Sequence, residues 1–230
     1  MTSKRLFFKG MREDLRHKIW MLALSLLGSF LTMPVMWLLR FSDAEIPSTG
    51  RPHLSAITAA ESLRAVNEMA DVFREILLPS AGIIAILGAM IVGLESFRYL
   101  QQKSMVDTYH SLPVSRMQLF GIQYINGLLI WLVPYLFCTA LTLAFSGILL
   151  ARVGVTAGFS KVILEAVKNT AFLVIVFLMV YHLLLLATML TGNMINTLAV
   201  AAILGLGAIC AYGLTLGFMT CFFRTYYLLA

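Results

Sequence analysis

Two places in this chain carry residue types whose spacing could support chemistry. His182 stands in a run, 169–223, that holds no Asp, Glu, Lys or Arg and no second histidine. An ionisable group among apolar residues is a functional candidate by default. With no acid beside it, the expectation is a neutral imidazole hydrogen-bonded to a neighbouring helix, and an enzyme built on His182 is the weakest of three readings. The second place is Glu95 to Arg116, where Asp107 and His110 sit at i, i+3. That spacing lets both reach one metal ion, but two ligands do not make a site, so no metal is expected. The chain has no G-x-x-x-x-G-K-[ST] loop to cradle phosphates, no H-E-x-x-H and no G-x-S-x-G. No catalytic residue and no bound cofactor are therefore expected, and any ATP hydrolysis belongs to another polypeptide. Cys138, Cys210 and Cys221 show no paired spacing, and are expected as small buried hydrophobes without disulfides.

The elements that position these residues follow from composition. Of 230 residues, 60% are hydrophobic and 12% charged, with a mean hydropathy of +0.89. Soluble domains carry about 25% charged residues, so this surface cannot be solvated by water alone and the class is a polytopic, all-α membrane bundle. A charge at the bilayer centre costs about 3 kcal/mol, which makes uncharged blocks of about 20 residues the spanning signal. Residues 19–39 form the first span and 76–94 the second. Residues 117–151 form a third that is too long for one crossing, so its ends must protrude or Pro134 must bend it. The polar break 191–196 divides the last block into spans at 169–190 and 197–220. Trp20 and Trp37 lie near the ends of the first block, which is of full spanning length and is expected to stay in the mature protein. Pro79 and Pro134 are expected to kink their spans, and Gly213-x-x-x-Gly217 to allow close helix packing, within the chain or against a second one.

The net charge of +6 does not indicate nucleic acid, because Lys4, Arg5, Lys9, Arg12, Arg16 and Lys18 crowd ahead of the first span. That asymmetry orients the N-terminus to the cytoplasm. The segment Arg5 to Trp20 carries an apolar stripe (Leu6, Phe7, Met11, Leu15, Ile19) opposite the bases, which predicts an interfacial helix over 1–18. Residues 41–75 then form an outer loop with a helix over about 55–75, its stripe being Val66, Met69, Ala70 and Phe73, with Arg64 and Glu68 as an i, i+4 pair; a helix lying on the rim is expected, and substrate gating is the sharper alternative. Residues 95–116 fall inside as a short helix ended near His110 by Leu112-Pro113. Its mixture of Tyr99, Met105, Tyr109 and Leu112 with Lys103, Asp107 and Arg116 suits a protein interface.

The string Tyr99-Leu100-x-x-Lys103-x-Met105-Val106-Asp107-x-Tyr109-His110-Ser111-Leu112-Pro113-Val114-x-Arg116 resembles the coupling-helix region of ABC-2-type transporter permeases, particularly Gram-positive bacterial ones with a similar Ser-Leu-Pro turn. By motif the resemblance covers only about 95–120; by layout, a basic interfacial helix, a span, an outer loop, a span, a cytoplasmic helix and further spans, it covers essentially the whole chain. It implies a permease subunit in a bacterial plasma membrane, paired with a second permease subunit, identical or different, and with a cytoplasmic ATPase that holds ATP and Mg. Tyr99, Lys103, Met105, Asp107, Tyr109, His110, Leu112, Pro113 and Arg116 would contact that ATPase. A sixth span is expected to be missing from this chain, and export is favoured because the resembled family mostly exports. The runner-up is an accessory or sensor membrane protein whose outer loop binds a partner.

Overall fold

Among the described residues of the computed structural model, five helices are long and apolar enough to cross a bilayer: Ile19–Phe41, Val66–Ser96, Met117–Ala151, Phe159–Leu190 and Met194–Thr220. The structure describes residues 3–42, 59–98, 116–152 and 158–222, and no strand occurs among them. The protein is an all-α, multi-pass membrane bundle. Its elements are α1 (Ser3–His17), α2 (Ile19–Phe30), a π-helical turn (Leu31–Val35), α3 (Met36–Ser42), α4 (Ala59–Val72), a second π turn (Phe73–Leu77), α5 (Leu78–Ser96), α6 (Arg116–Arg152), α7 (Phe159–Leu190) and α8 (Met194–Phe222). The chain divides into two compact units, one of Met1–Val92 and Pro113–Val180, the other of Gly93–Leu112 and Tyr181–Ala230.

In the first unit, α6 packs against α1, α2, the first π turn and α4. Along the first span, buried residues recur every four positions, at Met21, Ser25, Ser29, Met33 and Trp37, with Pro34 buried beside them. Four residues of α-helix turn through about 400°, so a strict four-residue repeat drifts about 40° per step. The π turn around Pro34 supplies the correction: the N–H of Met36 reaches back five residues to Leu31 O. The second span also contains a π turn. Phe73, Leu77, Ala81, Ala85 and Ala89 are buried, and the N–H of Leu78 bonds Phe73 O just before Pro79.

This second π turn also changes the reading of the outer loop. α4, the π turn and α5 are contiguous with right-handed helical dihedrals at both joins, so one helical rod runs from Ala59 to Ser96. Val66, Met69, Ala70 and Phe73 are buried inside the protein, and Asn169 Nδ2 donates to Phe73 O at 2.6 Å. The stripe is a packing face, and Arg64 and Glu68 form no ion pair among the described residues.

α6, at 37 residues, is about 55 Å long against a hydrocarbon thickness of about 30 Å, so its ends extend beyond the bilayer core. Pro134 lies inside this one continuous helix. Having no N–H, it leaves the carbonyl of Ile130 without its helical donor. Ser25 Oγ from α2 donates to that oxygen at 2.6 Å. Nearby, Trp131 is stacked between Tyr135 (centroids 4.8 Å apart) and Phe177 of α7 (4.2 Å). Gly88 of α5 sits against the indole, where a Cβ would lie 2.9 Å from Trp131 Cδ1. Trp37 is likewise buried, against Phe41 and Phe145; it packs inside the bundle, where an interfacial tryptophan would face the headgroups. Thr139, Thr142 and Ser146, buried along α6, donate to carbonyls four residues back at 2.9 Å, which satisfies their hydroxyls without any ligand.

In the second unit, the end of α5 meets the last three turns of α7. Phe97 is buried and lies 6.3 Å from the Tyr181 ring, and a Cβ at Gly93 would come within 3.3 Å of Leu184. Only Thr191, Gly192 and Asn193 separate α7 from α8. That turn is closed by a 2.6 Å bond between the Thr191 and Thr197 hydroxyls and by Thr197 N–H donating to Asn193 O at 2.9 Å.

Candidate functional site at the junction of α1 and α6

Among the described residues, the densest polar network joins α1 to the first turns of α6. α1 has two faces because bases and apolar residues alternate at helical period. Gly10, Met11, Asp14 and Lys18 look toward α6. Gly10 permits the approach, since a Cβ there would stand 3.2 Å from Ile122 Cδ1. Lys18, at the break between α1 and α2, has dihedrals of φ −100° and ψ 17°, and is 9% exposed.

The side chains form one network, in which the buried Asn126 Oδ1 has no partner among the described residues. Lys18 Nζ lies 3.1 Å from Asp14 Oδ2 and also donates to Gln123 Oε1. Gln123 Nε2 donates to Asp14 Oδ1 at 3.0 Å. Asn126 Nδ2 donates to Asp14 Oδ2 at 2.8 Å and to Met11 O at 3.0 Å. Asp14 is thus the hub: it precedes Lys18 by four residues, the favourable order on a helix, and it accepts from two amides of α6. A buried ion pair holds only when its remaining lone pairs and protons are satisfied, and Gln123 and Asn126 supply that. The arrangement has no nucleophile and no proton donor aimed at an open cavity; what it can do is lock two helices in register.

Of the residues singled out from sequence, Tyr99, Lys103, Met105, Asp107, Tyr109, His110, Leu112 and Pro113 lie outside the described residues. Arg116 is the first residue of α6. On the other side, the segment is approached through buried Ser96 and Phe97 and an exposed Arg98–Glu95 pair at 3.4 Å. His182 is exposed on α7, with its ring edge-on to Tyr181 at 6.2 Å. Cys138 is buried as expected, whereas Cys210 is exposed on α8. Around Gly213 and Gly217, nothing among the described residues lies within 4 Å of an added Cβ.

Gln123 and Asn126 were not singled out in the sequence. They are uncharged, and so vanish into a block defined by the absence of charge. Their i, i+3 spacing near the start of an overlong span was the available signal.

Comparison with protein-family models, with curated proteins and with solved structures finds no match to this chain.

Proposed function

We propose that this chain is the transmembrane permease subunit of an ATP-driven, ABC-2-type transporter in a bacterial plasma membrane, with its N-terminus in the cytoplasm. A separate ATPase holds ATP and Mg, a second permease subunit completes the pathway, and the direction is export. The carrying observation is the Tyr99–Arg116 string, which runs directly into α6, while two to three turns later α6 is bonded to α1 through Gln123 and Asn126. A displacement of the 99–115 segment along the axis of α6 would then move α1 and, through the Lys18 break, α2. Packed elements pass motion on as units, because close-packed interfaces deform little.

The test is a detergent pull-down of the tagged chain with the ATPase encoded beside it, comparing the natural sequence with a variant scrambled over 99–116. Co-purification with the natural chain only is the expected result. Binding to neither, or to both equally, removes the assignment.

One observation favours an accessory or sensor role as the second reading. Arg40, Phe41, Glu68, Asp71, Val72, Glu75 and Ile76 line a cleft of about 290 Å³ at the end of the bundle bearing α4. Three carboxylates against one guanidinium suit a cationic partner. Under that reading the pull-down recovers no ATPase.

A further inference from the structure

The outward face of α1 carries a second feature. Arg12, Glu13, Leu15 and Arg16 of α1, with Ile19 and Leu22 of α2, line a cleft of about 620 Å³ where the chain breaks at Lys18. Arg12 and Arg16 stand at i, i+4, both exposed, and neither is ion-paired among the described residues. Asp14, the other acid of α1, is already held by Lys18, Gln123 and Asn126. The cleft is therefore cationic above and apolar below.

We propose that this cleft binds the headgroup of one anionic phosphodiester lipid. Its phosphate sits between the Arg12 and Arg16 guanidiniums, and the upper parts of its acyl chains lie on Leu15, Ile19 and Leu22. The residue types, their charge and their place in the chain agree on this. Guanidinium groups present paired N–H donors that match phosphate oxygens. The two arginines with Glu13 leave a net charge of +1, which matches a singly charged phosphodiester better than a polyphosphate. The cleft opens where a basic amphipathic helix meets the start of a span, the depth at which a bilayer holds its phosphates. The inference requires only that α1 lies at a membrane surface, so it stands or falls separately from any ATPase.

The experiment uses the full chain in nanodiscs of phosphatidylcholine with or without phosphatidylglycerol. Retained lipid is counted by native mass spectrometry, and arginine labelling by phenylglyoxal is mapped by peptide. Phosphatidylglycerol is expected to be retained over phosphatidylcholine and to protect Arg12 and Arg16, leaving Arg64 and Arg74 labelled. In the Arg12→Gln/Arg16→Gln variant the preference should fall about thirtyfold, and in an Arg64→Gln/Arg74→Gln control it should not change. The labelling arm uses the natural chain, so it decides the matter even if the double variant does not fold. Equal protection of all four arginines, equal loss in both variants, or displacement of the lipid by free glycerol phosphate each overturns the proposal; the last would mark a soluble phosphate ligand.

Discussion

Ser25 illustrates how a single hydroxyl can be tied to a proline on another helix. Pro134 deprives Ile130 O of its helical donor, and Ser25 Oγ replaces it at 2.6 Å. Water is scarce at this depth, so an unsatisfied carbonyl is expensive. Ser25→Ala should therefore destabilise the protein by about 1–3 kcal/mol in thermal unfolding of the nanodisc-embedded chain. The specific signature is coupling. In a Pro134→Ala background residue 134 regains its N–H, Ile130 O regains its helical bond, and the Ser25→Ala penalty should shrink by more than half. Additive effects in the double-mutant cycle would show that Ser25 acts through packing alone. Pro134 stood out in the sequence as a kink; its partner did not, because Ser25 lies 105 residues from the carbonyl it serves, and local periodicity carries no such information.

At the scale of elements, the N-terminal helix is held by one carboxylate. Asp14→Leu leaves the Lys18 ammonium in a largely buried site with one fewer partner and removes the acceptor for both Gln123 and Asn126. The expected loss is about 3 kcal/mol, concentrated at α1. Limited trypsin digestion should read it as faster cleavage after Arg12 and Arg16 while the spans stay protected. Adding Lys18→Met should recover part of the resistance, because the uncompensated charge is gone. Unchanged cleavage in Asp14→Leu would mean that α1 is held by apolar contacts such as Gly10 on Ile122. This junction was half legible in advance. The amphipathic pattern of residues 1–18 and the excess length of 117–151 are both visible, since charge exclusion and period 3.6 are local properties. That the two meet is a pairing of positions more than 100 residues apart. The rod from Ala59 to Ser96 was hidden for a different reason. Arg74 and Glu75 end the uncharged block at 76, but a helix keeps its hydrogen-bond ladder through charges, and here both stand exposed within the π turn while Phe73 and Leu77 are buried on either side of them.

For the whole molecule, the decisive face is on α8. A G-x-x-x-G pair can serve packing within one chain or between two, and the sequence left both open. Gly93 and Gly88 show what intrachain service looks like: an added Cβ meets Leu184 at 3.3 Å or Trp131 at 2.9 Å. At Gly213 and Gly217 nothing lies within 4 Å of an added Cβ among the described residues. If the protein works as half of a two-subunit permease, this open ridge is the place where a partner helix can approach closely, and bulk there should act on assembly and leave the fold alone. Gly213→Ile/Gly217→Ile is expected to keep the helical content and thermal midpoint of the natural chain while reducing subunit pairing, measured by single-molecule photobleaching of labelled chains in nanodiscs at low protein-to-lipid ratio. Gly93→Leu is the internal contrast and should lower the midpoint. Pairing that survives in the double isoleucine variant would move the subunit contact to another face of the bundle; loss of the thermal midpoint in that variant would mean that these glycines pack inside the chain after all.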